Sequence, residues 1–302
     1  MDRAKLEGYH SLEELLNDQS EPPPDIIGNG FLQPKTLLLV AGKPKARKSM
    51  LVFNMGLALA AGRGFAIFPV KKPHRVLLLS AEGGYYPNRE RLKKMCQSFK
   101  VDKPENFTIF TIARWKLEDK QSYKHLYGVV RELKPEVLII DPFVRFHNLE
   151  ENSANQMAFV IGKIRAMIED LNLSVILVHH VGKSENAGAR GSSAIPGECD
   201  ACIHIHKGNV EQELEFEMRF VEPLEKTTLT FNSETLWFEG GAKASELAPL
   251  LQKAGPLAKK DLLEAILKEG IRQHISGAYK LINIEAREEF IVEEEGLFNI
   301  AN

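Results

Sequence analysis

Residues 36–61 read TLLLVAGKPKARKSMLVFNMGLALAA. The opening run, residues 36–42, is short, apolar and rich in Leu and Val, as buried β-strands are. A basic loop follows, and the run from Lys48 to Ala61 has the length and apolar character of a helix that packs against a sheet. The order of strand, loop and helix predicts an α/β unit with the loop at the carboxyl end of the strand.

The same alternation continues along the chain. Short runs rich in Val, Ile and Leu predict further strands at residues 75–82, 106–112, 136–141 and 174–180. Longer periodic segments between them predict helices at residues 88–99, 123–133 and 155–171. Because the strand runs lack polar alternation, we expect them to be buried on both faces, as in a parallel sheet covered by helices. The predicted fold class is therefore α/β.

The pattern changes after Gly182. The Gly- and Ser-rich stretch 182–197 is expected to be an exposed, mobile loop. Short strand patterns follow and are expected to add antiparallel strands to the sheet, at residues 201–207, 214–221, 227–232 and 235–240. Beyond Gly241, apolar residues at helical spacing recur before a two-strand pattern that turns at Gly296. Three helices and a β-wing indicate a small winged-helix domain.

We therefore expect three parts in the chain. Residues 1–21 form a short helical arm that ends at a run of prolines, because proline removes a backbone donor and restrains the residue before it. Residues 22–240 form the α/β domain, and residues 241–302 form the winged-helix-like domain.

The composition is that of an ordinary globular protein. Lys plus Arg (39) nearly balance Asp plus Glu (41), so no overall field draws the chain to nucleic acid or membrane, and any polyanion site must be local. Three cysteines in 302 residues do not make a disulfide framework. The start is polar, without the apolar core of a signal peptide, and no apolar run is long enough to cross a bilayer. We expect a cytoplasmic protein without membrane contact.

The loop at residues 42–49, GKPKARKS, has the features of a phosphate-binding loop. In the pattern GxxxxGK[ST], backbone amides and a helix N-terminus surround a phosphate, the lysine pairs with its oxygens and the hydroxyl ligates Mg²⁺. Lys48 and Ser49 occupy the last two positions. Arg47 departs from the pattern, because glycine is expected there and a Cβ makes left-handed backbone more costly. The alternative is a basic turn that caps a core helix.

Two carboxylates are expected at the same edge of the sheet. Asp141 ends the strand pattern VLIID, where its side chain would face the loop and hold Mg²⁺ through Ser49 or a water. Glu82 ends the pattern VLLLSAE and could polarise an attacking water. The alternatives are a turn aspartate before Pro142 and a surface glutamate.

Four stretches carry a family resemblance: AGKPKARKS (41–49), LLLSAEGG (77–84), LIIDPFVRFHNLEEN (138–152) and VILVHHVGKSENAGARGSSA (175–194). Together they resemble the RecA-like AAA_25 group of P-loop ATPases. The chain is similar to plasmid replicative helicases of the RepA type and, more distantly, to DnaB-type hexameric helicases. The likeness covers about residues 22–240. It implies a RecA-like P-loop core with ATP and Mg²⁺ as cofactors.

The resemblance also implies roles for single residues. Lys48 would contact the phosphates, Ser49 and Asp141 would hold Mg²⁺, Glu82 would be the catalytic glutamate, and His180 would sense the γ-phosphate. The nucleotide-binding loop would comprise Gly42, Lys43, Pro44, Lys45, Ala46, Arg47, Lys48, Ser49 and Met50. His179 should point to the opposite side of its strand and be a hydrogen-bonded core residue.

A ring is the assembly that the resemblance implies, with a hexamer of this chain expected. In RecA-like rings the loop after the sensor strand faces a central channel and holds single-stranded DNA by its backbone, so Lys183 and Arg190 are candidate DNA contacts. An arginine of a neighbouring subunit completes each active site, and Arg219 resembles that position. The second cation expected nearby is replaced by Val221, and a surface arginine is the alternative.

The leading hypothesis is therefore an ATP-hydrolysing, ring-forming replicative DNA helicase that acts on single-stranded DNA and meets other replication proteins. The first alternative is an ATP-binding regulatory or DNA-binding module that unwinds nothing, which Arg47 and the missing second cation favour. The second is a small-molecule P-loop kinase, which the strands after residue 200 and the long Gly- and Ser-rich loop disfavour.

Two further patterns have open interpretations. Cys199, Cys202, His204 and His206 are zinc-ligand types at short spacing, whereas the family resemblance places them where a helix runs into a buried strand. A helix at residues 275–288 could read DNA. Because acidic residues outnumber basic ones over residues 241–302, protein docking or ring assembly is an equal alternative for that domain.

Overall fold

The computed structural model describes residues 10–112, 114–181, 194–208, 211–240, 247–269, 271, 274–287, 291–294 and 296–300. Lys183 and Arg190, the candidate DNA contacts, lie outside the described residues, as does most of the Gly- and Ser-rich stretch that contains them.

A nine-stranded sheet forms the centre of the α/β domain, in the order β3-β2-β4-β5-β1-β6-β7-β8-β9. Its strands are β1 Leu37–Gly42, β2 Val76–Ser80, β3 Phe107–Phe110, β4 Val137–Asp141, β5 Ser174–His180, β6 Ala201–His206, β7 Glu211–Met218, β8 Thr227–Phe231 and β9 Phe238–Glu239. Pairing is parallel from β3 through β6 and antiparallel from β6 to β9. The sheet is therefore mostly parallel with antiparallel additions, as the sequence predicts.

Helices cover both faces of this sheet. They are α2 Lys48–Ala61, α3 Tyr85–Ser98, α4 Lys120–Leu133, α5 Ala154–Leu171 and the short α6 Ala194–Gly197. One apolar core joins α2 and α3 to a face of the sheet. A second core joins α4 and α5 to the other face. Strands β1, β2 and β4 are buried along their whole length, which explains their unbroken apolar runs.

Two strand predictions need correction. The strand expected at residues 214–221 lies earlier, at Glu211–Met218, because β7 pairs with β6 in a register that places Met218 opposite Ala201. In this register Leu214 and Phe216 face the core, and Phe220 is exposed. Strand β3 is half-buried, since it lies at the edge of the sheet instead of inside it.

Residues near the carboxyl end form a separate apolar core. The elements are α7 Ala248–Ala254, β10 Leu257–Ala258, α8 Lys259–Lys268, α9 Ile275–Arg287, β11 Ile291–Glu294 and β12 Leu297–Ile300, with a sheet ordered β10-β12-β11. Three helices and an antiparallel strand pair that turns at Gly296 are present as expected. The winged-helix assignment and the domain limits at 21 and 240 stay predictions.

A short helix, α1 Leu12–Asn17, precedes the α/β domain. Ser11 caps it, because its hydroxyl accepts from the Glu14 amide while the Glu14 carboxylate accepts from the Ser11 amide. Across the described part of the chain, none of the helices is both long enough and apolar enough to cross a bilayer.

Candidate nucleotide site

The candidate site lies where four neighbouring parallel strands end. Gly42 at the end of β1 pairs with His180 at the end of β5. Ser80 at the end of β2 pairs with Asp141 at the end of β4. Because the carboxyl ends of parallel strands meet at one edge, the loop and the acidic residues are brought together there, as in other open α/β sheets.

The loop at residues 43–47 has a left-handed backbone at two non-glycine positions. Lys45 has φ 66° and Arg47 has φ 63°. Helix α2 begins directly after them at Lys48, so the amides of its first turn have no carbonyl partners within the helix. Gly42 must be glycine, because a Cβ there would lie 2.4 Å from the Ile205 carbonyl oxygen. The loop therefore offers amides and a helix N-terminus to an anion.

Arg47 compensates for its unusual backbone through its side chain. The guanidinium carbon lies 4.4 Å from the centre of the Phe231 ring on β8, a cation–π geometry. The Arg47 Nη1 atom is buried without a hydrogen-bond partner among the described residues. The arginine at this glycine position therefore packs on an antiparallel strand, β8. The sequence alone could not predict this contact.

Lys48 is the buried cation of the site, with 3% of its surface exposed. Its ammonium donates to the Gly42 carbonyl at 2.8 Å and to the Lys43 carbonyl at 2.9 Å, which folds the side chain back over the loop. Burial lowers the pKa of Lys48 to about 8, against the opposing effects of Asp141 and Glu82. Both carboxylates therefore act on the ammonium group from nearby.

Asp141 and Ser49 are in direct contact. The Ser49 hydroxyl donates to Asp141 Oδ1 at 3.2 Å. Burial raises the pKa of Asp141 to about 6, although this hydrogen bond acts in the opposite direction. A buried carboxylate beside a hydroxyl is a suitable donor set for Mg²⁺, and a bound cation would offset the cost of burying the charge.

Glu82 lies beyond the end of β2, with 49% of its side chain exposed. Asn88 on α3 fixes the segment that carries it, donating to the Glu82 carbonyl at 3.0 Å and to Ser80 Oγ at 3.2 Å. The Glu82 carboxylate faces Arg145, whose Nε lies 3.8 Å from Oε1. Sequence reasoning missed both Asn88 and Arg145.

The two histidines at the end of β5 have separate environments. His180 is half-buried, and its Nδ1 has no hydrogen-bond partner among the described residues. Burial and then the charge of Lys48 lower the pKa of the ring, whereas Glu82 raises it. His179 is buried on the other side of the strand, where its Nδ1 lies 3.4 Å from Glu151 Oε1.

Glu151 is a further residue that sequence reasoning missed. Its Oε1 also lies 4.0 Å from Nε2 of the buried His147. The contact with His179 is the main reason that the pKa of Glu151 lies below its usual value. This carboxylate therefore links the chain after Asp141 to the end of β5. The spacing of His147 and Glu151 in the motif HNLEE was the available signal.

Arg219 does not face the candidate site of its own chain. It follows β7 directly and donates to the Gly197 carbonyl at 2.8 Å and to Asp200 Oδ1 at 3.5 Å. The side chain is 48% exposed. A contribution to the site of a neighbouring subunit stays a prediction for this residue.

Comparison with known proteins identifies the family. The model of the AAA_25 family, described as an AAA domain, matches residues 2–186. This match covers more than half of the chain, and the chain belongs to that family, which implies nucleotide binding at the P-loop described above. The similarity to RepA-type helicases in particular stays a prediction.

Solved structures show the same fold. A solved ATPase domain aligns with a TM-score of 0.53 at 15% identity, over 68% of this chain and 84% of that one. A DnaB-like replicative helicase aligns with a TM-score of 0.52 at 16% identity, over 68% of this chain and 57% of that one. A KaiC-like protein from Pyrococcus horikoshii OT3 aligns with a TM-score of 0.52 at 14% identity, over 71% and 93%. The α/β domain is therefore RecA-like.

Proposed function

We propose that this protein is an ATP-hydrolysing RecA-like motor, and specifically a ring-forming replicative DNA helicase that acts on single-stranded DNA. The observation that carries the proposal is the meeting of Ser49 with Asp141 at the head of α2, beside the buried ammonium of Lys48. Cation, hydroxyl and carboxylate are the three groups that P-loop ATPases use around a triphosphate.

In this proposal each side chain has one task. The loop at residues 42–50 wraps the triphosphate, with Lys48 turning from its carbonyl partners to the phosphate oxygens. Ser49 and Asp141 hold Mg²⁺, which when bound neutralises charge on the β- and γ-phosphates. Glu82 orients and polarises the attacking water, because it is exposed at the edge of the site and electrostatically coupled to Lys48.

His180 is the proposed link between the phosphate and DNA. Its ring has an unpartnered Nδ1 among the described residues and is electrostatically coupled to Lys48 and Glu82, so it can take a hydrogen bond with a phosphate. The residues that follow it along the chain include Lys183 and Arg190, which we propose hold the DNA backbone. With so few cations in each subunit, repetition around a ring strengthens DNA binding.

The resemblance of the chain to DnaB-type hexameric helicases supports ring formation, and a DnaB-like protein is among the similar structures. That DnaB-like protein is named as a replicative helicase that interacts with primase. We propose a hexamer in which Arg219 serves the adjacent subunit. This role requires its guanidinium to leave Asp200 and the Gly197 carbonyl.

An ATP-binding regulatory or DNA-binding module is the second candidate. The engagement of Arg219 within its own subunit favours it, since a motor needs a cation at the neighbouring site. Steady-state ATP hydrolysis with and without single-stranded DNA separates the two candidates. A motor should be stimulated several-fold by single-stranded DNA and little by duplex of the same length, whereas a static module should show no stimulation.

Two further measurements complete this test. The variant carrying both Lys183→Ala and Arg190→Ala should lose the stimulation, with the ratio of DNA-stimulated to unstimulated turnover falling towards one. The mass in solution should rise to that of a ring when ATP and Mg²⁺ are added. Unstimulated hydrolysis by a protein that stays monomeric under these conditions would contradict the helicase proposal.

A further inference from the structure

We propose that Cys202, His204 and Glu217 form a binding site for a thiolate-preferring divalent cation, Zn²⁺ being the natural candidate. The site lies on β6 and β7, where His204 is paired with Ala41 of β1. The proposal does not depend on the proposed ATPase function.

The pleat of the sheet places these three side chains together. Cys202 and His204 are two residues apart on β6, so both point to the same face. Glu217 on β7 lies directly opposite Cys202 in the antiparallel pair, and therefore shares that face. One donor atom from each residue, the Cys202 sulfur, a His204 ring nitrogen and a Glu217 carboxylate oxygen, lies within 4.8 Å of the other two.

The donor set fits zinc better than the cations of oxygen-only sites. Thiolate, imidazole and carboxylate are the three ligand types that zinc takes in proteins, and Mg²⁺ takes oxygen ligands. Three protein ligands leave one tetrahedral position for water or another ligand. Cys202 is 3% exposed whereas Glu217 is 58% exposed, so the site has a buried sulfur end and an end open to solvent.

Two of the three donors are already in contact, and a nearby lysine balances the charge beside them. His204 Nε2 already lies 3.0 Å from Glu217 Oε1, so little movement is needed for both to approach one cation. Lys226 pairs with Glu213 and Glu215, the next carboxylates along β7, and so balances negative charge beside the site. Strand β7 therefore supplies the carboxylate ligand, and Lys226, directly before β8, balances the charge of the neighbouring carboxylates.

The structure also selects among the cysteines and histidines of this stretch. The Cys199 thiol donates to the Ile195 carbonyl at 3.2 Å, a partner within its own turn. The Cys202 sulfur lies 3.9 Å from the Pro196 carbonyl oxygen and also contacts the Cys199 thiol. His206 pairs with Glu215 at 3.4 Å, so it belongs to the next cross-strand pair. Of the two cysteines and two histidines in the sequence motif, only Cys202 and His204 belong to the proposed site among the described residues. Glu217 of β7 is the third ligand.

Cobalt binding tests this site directly. The full chain is stripped with a chelator, kept in a phosphine reductant and excess Mg²⁺, and titrated with Co²⁺. We expect one equivalent of Co²⁺ to give a thiolate-to-cobalt charge-transfer band together with the strong visible bands of tetrahedral cobalt. Zn²⁺ should remove both. Oxygen-only sites, including the one at Ser49 and Asp141, cannot produce a thiolate band.

Matched variants assign the ligands. Cys202→Ser should abolish the charge-transfer band, while Cys199→Ser and Cys96→Ser, a change at an exposed cysteine, should keep it. Because Cys202 is buried, Glu217→Gln provides a second test at an exposed position. It should weaken Co²⁺ binding at least about tenfold, whereas Glu213→Gln on the same strand should change it less than about twofold.

Three results would overturn the proposal. They are the absence of a charge-transfer band in the parent chain, a band that survives Cys202→Ser, and equal Co²⁺ affinity of Glu217→Gln and the parent. Each would leave His204 and Glu217 as an ordinary cross-strand ion pair.

Discussion

Ser49 on α2 donates a hydrogen bond to Asp141 at the end of β4, across 92 residues of sequence. The contact joins the loop that follows β1 to a strand two places away in the sheet. The hydroxyl also offers the buried Asp141 carboxylate a donor in place of water.

Asp141→Asn should stabilise the protein in the absence of Mg²⁺ and nucleotide. Because burial raises the pKa of Asp141 to about 6, the folded state binds its proton more tightly than the unfolded state does. The resulting loss in the free energy of unfolding is fully present above pH 6. It disappears as the pH falls below the pKa of Asp141 in the unfolded state. At pH 8 it corresponds to about 3 kcal/mol in the free energy of unfolding.

Urea unfolding at pH 8 and pH 5 measures this effect. The free energy of unfolding of Asp141→Asn should exceed that of the parent at pH 8, and the difference should be about half as large at pH 5. The same variant should lose turnover of ATP with Mg²⁺. An asparagine variant less stable than the parent at pH 8 would show that the carboxylate is not destabilised by burial.

Glu82→Gln should separate catalysis from binding. The carboxylate is exposed and its ion pair is with Arg145, outside the loop at residues 42–50. ATP affinity should therefore stay within about twofold while turnover falls by about 10²- to 10⁴-fold. Nucleotide titration and a steady-state assay measure the two quantities. Glu90→Gln, at an exposed glutamate of α3 paired with Arg89, is the matched control and should leave both unchanged. Equal loss of affinity and turnover would count against the role of a water-polarising base.

Arg47→Ala and Arg47→Gly should differ in stability. Alanine keeps a Cβ in the left-handed backbone and loses the stack on Phe231, so we expect a loss of about 1–2 kcal/mol in the free energy of unfolding. Glycine loses the stack but removes the backbone cost, so it should recover about 1 kcal/mol relative to alanine. Urea unfolding of both variants measures the difference. Identical stabilities would mean that the left-handed φ at this position carries no cost.

Glu151→Gln should destabilise the protein at pH 7 by about 1–2 kcal/mol, because two buried histidines lose a charged partner. The pKa of Glu151 is depressed, so its stabilisation is present above the unfolded pKa and is lost as the pH falls through the lower folded value. The gap between variant and parent should close over that range in urea titrations. Glu150→Gln, at the exposed neighbouring residue, is the control and should not change the free energy of unfolding anywhere in this pH range. A difference between Glu151→Gln and the parent that does not change with pH would contradict this role of Glu151.

Much of the fold follows from local pattern. Strands β1, β2 and β4 are predictable because burial on both faces demands unbroken apolar runs, and α2 follows from the loop that precedes it. The bounds of β7 could not be predicted from the sequence. Apolar and polar residues alternate over both 214–221 and Glu211–Met218, and only the pairing with β6 decides between the two ranges.

The candidate site divides in the same way. Lys48, Ser49 and Asp141 were predictable because each follows or ends a recognisable strand or loop. Two contacts could not be predicted, the stack of Arg47 on Phe231 and the contact of Glu151 with His179. Each joins segments that are distant in sequence, and the two contacts lie on opposite faces of the sheet. The metal-site glutamate, Glu217, belongs to this second kind, since cross-strand register alone brings it to Cys202.

We propose that the loop at residues 42–50 binds and hydrolyses ATP, and Lys48→Ala removes the buried cation of that loop. Turnover of ATP with Mg²⁺ should fall at least about 100-fold while the circular dichroism of the folded chain is retained, because the variant lacks the ammonium group that we propose pairs with the phosphates. Lys93→Ala, at an exposed lysine of α3, is the control and should keep turnover within a few-fold. Hydrolysis by Lys48→Ala at the parental rate would contradict the account.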